Sequence, residues 1–270
     1  MGPSKPVILL TNDDGIFSEG IKALENSLSR IGDLYVVAPD RERNANSHCI
    51  SLKTSIYVKQ DDERHFSVSG TPSDCVNIGV HRLLPRKPDL VISGINEGGN
   101  LSDDVTYSGT VAAALEARLL HIPSMAFSLA MRDNFIFEPA ARIAAGLVLW
   151  FIGQELPYGV FYNVNIPHLP DGVAGKIRWT RLGQKIYSDF LEEGRDDQGR
   201  LYYRFGVDDM RFLDDETADE ADWKVVRQGC VSITPLNLNM TDETYFANLK
   251  GSFNPTQVEE IVAKMTDSSV

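Results

Sequence analysis

Cysteine is scarce in these 270 residues. Cys49, Cys75 and Cys230 are the whole set, and no two form a CxxC pair. An odd, scattered set builds no disulfide scaffold and fits a reducing, cytoplasmic setting. Positive charge is short as well: 26 Lys and Arg face 38 Asp and Glu, a net charge of −12. That balance excludes a broad footprint on a nucleic-acid polymer, which needs concentrated Lys and Arg. It leaves room for a small phosphorylated ligand held by backbone N–H groups and a metal. Long apolar runs are missing; the strongest, Ile143–Ile152, falls short of the roughly 18 residues of a membrane-spanning helix. The stretch ahead of Val7 reads as no secretory leader. Also absent are a GxxxxGK[ST] loop, a GxGxxG turn after the first strand, a GxSxG elbow and an HExxH zinc motif. Hydride transfer, ATP-driven work and acyl-enzyme chemistry lose ground accordingly.

What is present is an ordinary globular composition, 43% hydrophobic and 24% charged, in a chain long enough to bury a substantial core. Strand and helix signals alternate through the first half. Val7–Leu10, Leu34–Ala38, Leu90–Ile92 and Met125–Ser128 are short apolar runs, as expected of strands buried on both faces. Helical spacing predicts helices over 20–31, 110–120 and 140–151, and another carrying Cys75 and Ile78 that Ser73 or Asp74 would cap. The class is α/β, a doubly wound, mostly parallel sheet, which binds ligands beyond the carboxyl ends of its strands. The second half reads as β-rich: strands near 159–165, 176–181 and 230–234, a long hairpin over 184–207, and a terminal amphipathic helix over 256–265. Segment 208–222 holds eight acids and one Arg and reads as a solvated loop.

Three polar loops follow the apolar strands. Asn12-Asp13-Asp14-Gly15 places two carboxylates side by side; they repel unless a cation or donors offset them, and hard divalent cations take such oxygens. The same four residues also suit an ordinary turn. Ser93 to Asn100 offers the amides of Asn96 and Asn100, with glycines that let a ligand approach the backbone. Ser108-Gly109-Thr110 opens the Ala-rich helix, and the free N–H groups of a first turn favour an anion. Asp40 to His48 carries two arginines, amide and hydroxyl oxygens, and one histidine fit for proton transfer or for a structural hydrogen bond.

The ordered set Leu9 to Gly15, Ala38-Pro39-Asp40-Arg41, Gly70 to Val76, Pro88-Asp89, Ser93 to Asn96 and Tyr107 to Ala114 resembles the SurE family of survival-protein phosphatases, which act as 5′(3′)-nucleotidases. The resemblance spans about the first half of the chain. It implies a Rossmann-like core over residues 1–182 and an extension over 183–270 whose hairpin, acidic loop and terminal helix make homodimer or homotetramer contacts. It implies a divalent cation, Mg²⁺ or Mn²⁺, on Asp13, Asp14 and Asn96. The family's fourth ligand is usually a Ser, and the matching residue here is Asn44; Ser47 is a weaker substitute.

On this reading the substrate is a nucleoside 5′-monophosphate, or a 3′-monophosphate. Asp13 and Asp14 are the expected catalytic residues. Asn96, Gly98, Gly99, Ser108, Gly109 and Thr110 would cradle the phosphate, and Asn12 would orient the carboxylates. Water is the expected nucleophile, since a covalent route also needs a placed acid and only His48 is available. Two alternatives stay open: hydrolysis of short polyphosphate, and a nucleotide-binding regulator without turnover, to which Asn44 alone points.

Overall fold

A computed structural model describes residues 5–130, 134–154, 157–169, 175–186, 191–205, 211–214, 218–252, 256 and 259. Strand β1 (Val7–Thr11) lies in the interior of the sheet, buried along its whole length. Its alternating side chains feed two cores. Ile8 and Leu10 pack with residues of helices α1 (Glu19–Leu28) and α4 (Phe137–Phe151), while Leu9 packs with residues of α2 (Pro72–Ile78) and α3 (Gly109–Leu119). A strand covered on both faces must be apolar at successive positions, which is why Val7–Leu10 carries no polar residue. Each side chain so buried contributes about 1.5–3 kcal/mol.

The remaining strands are β2 (Asp33–Pro39), β3 (Val58–Gln60), β4 (His65–Val68), β5 (Leu90–Glu97), β6 (Ser124–Ala130), β7 (Val160–Pro167), β8 (Ile177–Trp179), β9 (Lys185–Ile186), β10 (Leu191–Arg195), β11 (Leu201–Phe205), β12 (Arg211–Phe212) and β13 (Val231–Asn237). Eight of them join β1 in one sheet, in the order β3-β4-β2-β1-β5-β6-β7-β13-β8. Pairing from β4 through β7 is parallel, β3 and β13 are antiparallel to β4 and β7, and β8 runs parallel to β13. From β1 the chain builds outward through β2 and β4, then returns to place β5 on the other flank of β1. The order therefore reverses between β1 and β5, the crevice where doubly wound sheets bind ligands.

The doubly wound, mostly parallel class agrees with the sequence reading. Four local readings are corrected. The third strand does not stop at Ile92 but runs to Glu97, with an irregularity in its pairing to β6 between Ser93 and Asn96. Gly94 makes this possible: φ is +128°, and a Cβ there would lie 2.3 Å from the Phe127 carbonyl oxygen. Helix α2 is capped by Thr71 rather than Ser73 or Asp74, with Asp74 closing a capping box. Asp222, read as part of a solvated run, is fully buried and opens helix α5 (Asp222–Arg227). A helix α6 (Glu243–Ser252) appears where none was expected, and the terminal helix over 256–265 lies almost wholly outside the described residues.

The long hairpin is present as the antiparallel pair β10–β11, and β9 pairs with β12 beside it. Contacts divide the chain into a unit over Met1–Leu238, which holds the sheet, and one over Asn239–Val270, which holds α6. Among the described residues no helix is long and apolar enough to cross a membrane, and all three cysteines are free thiols.

Candidate active site

Asp13 and Asp14 follow β1 directly, at the point where the strand order reverses. Asn12 shapes their turn: its Nδ2 donates to the Gly15 carbonyl at 2.9 Å and to Ser18 Oγ at 2.7 Å, and its Oδ1 accepts from Gly15 N. It holds the turn rather than either carboxylate. Asp13 is 4% exposed. Burial pushes its carboxyl above the ordinary carboxylate value, partly opposed by bonds from the Thr110 hydroxyl and the N–H groups of Thr110 and Gly109. The first turn of α3 thus meets the Asp13 carboxylate itself.

Thr110 ties the site together. Its hydroxyl donates to Asp13 Oδ1 and lies 3.2 Å from Asn96 Oδ1. One proton cannot serve both acceptors at once, so two oxygens from different strand ends converge on one hydroxyl. Asn96 Nδ2 is turned away to the Gly98 carbonyl, which aims Oδ1 at Thr110. Gly109 permits this approach: a Cβ there would lie 2.8 Å from both Cβ and Oδ2 of Asp13.

Asp14 is pushed up to about 7, first by burial, then by the charge of Asp13, with Glu97 and Glu42 adding to it. The Glu97 N–H pulls the other way. One of its carboxylate oxygens, Oδ2, is buried without a hydrogen-bond partner. A buried carboxylate oxygen with no donor is costly. Asp13, Asp14 and the Asn96 amide oxygen are hard donors of the kind a divalent cation takes, so the residues present fit such an ion.

The remaining expected residues are placed less uniformly. Ser108 caps α3, its Oγ accepting from Val111 N. Gly98 spends its N–H on the Leu129 carbonyl and cannot offer it to phosphate, while a Cβ on Gly99 would lie 3.1 Å from Ala130 Cβ and 3.2 Å from Leu101 Cδ1. The loop after β2 crosses the crevice: Arg43 N donates to the Asp13 carbonyl and Ser47 N to that of Tyr107. Asn44 is exposed in that loop, its Nδ2 donating to Glu42 Oε1. The Ser47 hydroxyl donates to the Thr106 carbonyl at 2.6 Å. His48 Nε2 lies 2.5 Å from Glu116 Oε2, and Asn77 Nδ2 donates to Glu116 Oε1 at 2.6 Å. Sequence reasoning missed that partner of His48 because 68 residues separate the two. The unusual Glu116 in an Ala-rich buried helix was the available signal.

Fold and site together define a doubly wound α/β protein with an acidic, oxygen-lined crevice at its switch point. The family model described as survival protein SurE matches residues 8–189. The chain belongs to that family. A protein of Geotalea uraniireducens named 5′-nucleotidase SurE is 43% identical over 244 residues, 90% of this chain and 97% of the relative. A protein of the same name from Myxococcus xanthus is 44% identical over 247 residues, 90% of this chain and 92% of its own length. The crystal structure of SurE protein from Aquifex aeolicus superposes with a TM-score of 0.80 at 37% identity, covering 92% of this chain and all of that one.

Proposed function

We propose that the crevice between β1 and β5 hydrolyses nucleoside 5′-monophosphates to nucleoside and phosphate, the activity for which the relatives are named. The observation that carries this reading is the pair of buried Asp13 and half-buried Asp14, with the buried Asp14 Oδ2 unpartnered and two hard oxygens, from Asp13 and Asn96, drawn together at Thr110. Asp13, Asp14 and Asn96 would hold a divalent cation, Mg²⁺ or Mn²⁺. Asn44 is the fourth proposed ligand, one residue past the Arg43 N–H that binds the Asp13 carbonyl. Such a cation, when bound, polarises a phosphoryl oxygen and eases deprotonation of water.

The chain's own residues do the positioning on which phosphoryl transfer mainly depends. Thr110 and the N–H groups of Gly109 and Thr110 fix Asp13 in one orientation. Ser108, whose Oγ accepts from Val111 N, keeps its own O–H to donate to a phosphoryl oxygen. Water forms the new P–O bond as the P–O5′ bond breaks, and the proton the water gives up passes through solvent to the leaving oxygen. Asp13, bonded by the Thr110 hydroxyl, is held as a ligand rather than released as a nucleophile.

Several finer points belong to the same proposal. The protein works in the cytoplasm, consistent with its free thiols, and its net charge of −12 suits a small anion held at a cation rather than a nucleic-acid polymer. It assembles as a homodimer or homotetramer, for which β10–β11 offers exposed Leu191, Leu201 and Tyr203. The core over 1–182 carries the chemistry, and the extension over 183–270 carries the contacts. The test is phosphate release from 5′-AMP, 5′-GMP, a 3′-nucleotide and tripolyphosphate, each with Mg²⁺ or Mn²⁺ and again with EDTA. The expected result is release from the 5′-monophosphates that EDTA abolishes. Release from tripolyphosphate alone, or from nothing, would overturn the reading.

A further inference from the structure

The loop over residues 98–107 joins β5, which carries Asn96, to α3, which carries Thr110. Its own residues contain little to hold it: five of them form a single 3-10 turn, Ser102–Thr106. Its conformation is nevertheless specified, and the groups that specify it come from far along the chain.

Asn100 N donates to Asn165 Oδ1 at 2.8 Å, and the Asn100 carbonyl accepts from Asn163 Nδ2 at 2.8 Å and Asn165 Nδ2 at 3.0 Å. Leu101 packs against Ala221 and Trp223. Ser102 N donates to Asp222 Oδ2 at 2.8 Å, and the Ser102 hydroxyl reaches Oδ1 at 3.3 Å. The same carboxylate accepts from Gly183 N at 3.1 Å and Trp223 N at 2.8 Å. Ser102 has φ of +56°, a conformation costly for a residue with a Cβ and held only where its surroundings over-determine it. Gly183 is pressed into the same place: a Cβ there would lie 2.8 Å from Ser102 Oγ and 2.3 Å from Trp223 Cδ1. Asp103 Oδ2 then accepts from Lys185 N at 2.8 Å, and Asp104 pairs with the largely buried Lys185 ammonium at 2.7 Å.

We propose that Asp222 is a positioning residue for the reaction: its buried carboxylate, fully hydrogen-bonded to Ser102, Gly183 and Trp223, clamps the β5–α3 loop and so sets Asn96 and Thr110 against Asp13. The proposal rests on the hydrolytic reading of the site. A carboxylate is the group the place requires, because an acceptor-only head meets three N–H donors and a hydroxyl there. An amide of the same shape would bring a donor against donors. Asp222 is fully buried and its carboxylate is taken up by Ser102, Gly183 and Trp223, which is why it acts through the loop.

The experiment uses the full chain with Mg²⁺ and compares wild type, Asp222→Asn and Asp219→Asn. Asp219 lies three residues upstream in the same acidic segment, with its side chain 86% exposed, and serves as the charge control. Amide hydrogen exchange should quicken across 98–108 in Asp222→Asn while the β1 amides stay protected. In the same variant KM for 5′-AMP should rise at least about fivefold, and the inhibition constant of inorganic phosphate should rise with it. Loss of folded molecules alone would lower kcat and leave KM where it was. Asp219→Asn should change neither readout. Unchanged exchange over 98–108 in Asp222→Asn overturns the proposal, and so does faster exchange with an unchanged KM. A wild-type chain that releases no phosphate overturns the functional reading instead, and the exchange arm still decides whether Asp222 clamps the loop.

Discussion

Gly109 stands where a methyl group would touch Asp13. In most helices Gly→Ala stabilises by up to about 1 kcal/mol, yet here the new Cβ would lie 2.8 Å from Asp13 Oδ2. Gly109→Ala should therefore keep a cooperative melt while lowering kcat/KM at least about tenfold, a barrier increase of about 1.4 kcal/mol. Paired melting curves and steady-state kinetics check this, and unchanged kinetics would contradict it. At this scale Asp13, Asp14, Asn96 and Ser108 were legible in the sequence because each sits just beyond an apolar run or at a helix start. Asn12 was legible as a turn former and Gly98 as a point where a ligand could approach the backbone, but the Gly98 N–H goes to Leu129, a partner that only the fold supplies. The same holds for His48, whose carboxylate partner comes from the middle of α3.

Among the elements, β4 is tied to its surroundings by its first residue. His65 Nε2 lies 2.9 Å from Glu25 of α1, and Nδ1 lies 2.8 Å from Asp62 of the β3–β4 turn. Burial by itself lowers the imidazole's pKa, but the bonds to Asp62 and Glu25 outweigh it, so the value is raised above 6.5. A raised folded value means stability that is whole below the ordinary pKa and is lost as pH rises through the folded one. The stability difference between wild type and His65→Gln should accordingly be largest near about pH 6 and shrink toward about pH 8. Denaturant titrations at the two pH values check this, and a difference that grows with pH would contradict it. Element types were legible where periodicity is strong, as in β1 and α3. The ends of elements were less so. Strand β5 runs past its apolar part because Gly94 lets the backbone approach Phe127, and the cap of α2 is decided by the Thr71 hydroxyl, which accepts from Asp74 N while the Asp74 carboxylate accepts from Thr71 N.

For the whole molecule, the doubly wound class was legible because alternating strands and helices leave few other solutions. The role of the second half was not. Its polar residues, Asn163, Asn165, Lys185 and Asp222, look like surface composition in one dimension, and only the folded chain brings them against the β5–α3 loop. The proposed assembly through β10–β11 makes its own prediction. Light scattering should give two or four times the chain mass, and Leu191→Glu with Leu201→Glu should shift the protein toward the monomer. A wild-type monomer would contradict it.

Phosphate release from 5′-AMP by wild type and Asp14→Asn, measured with Mg²⁺, after EDTA, and after Mg²⁺ is restored, bears most directly on the central claim. The account predicts that wild type loses activity with EDTA and regains it with Mg²⁺, and that Asp14→Asn, correctly folded, retains less than about a hundredth of the rate. An Asp14→Asn protein with more than about a tenth of the wild-type rate, a barrier change under about 1.4 kcal/mol, would contradict it.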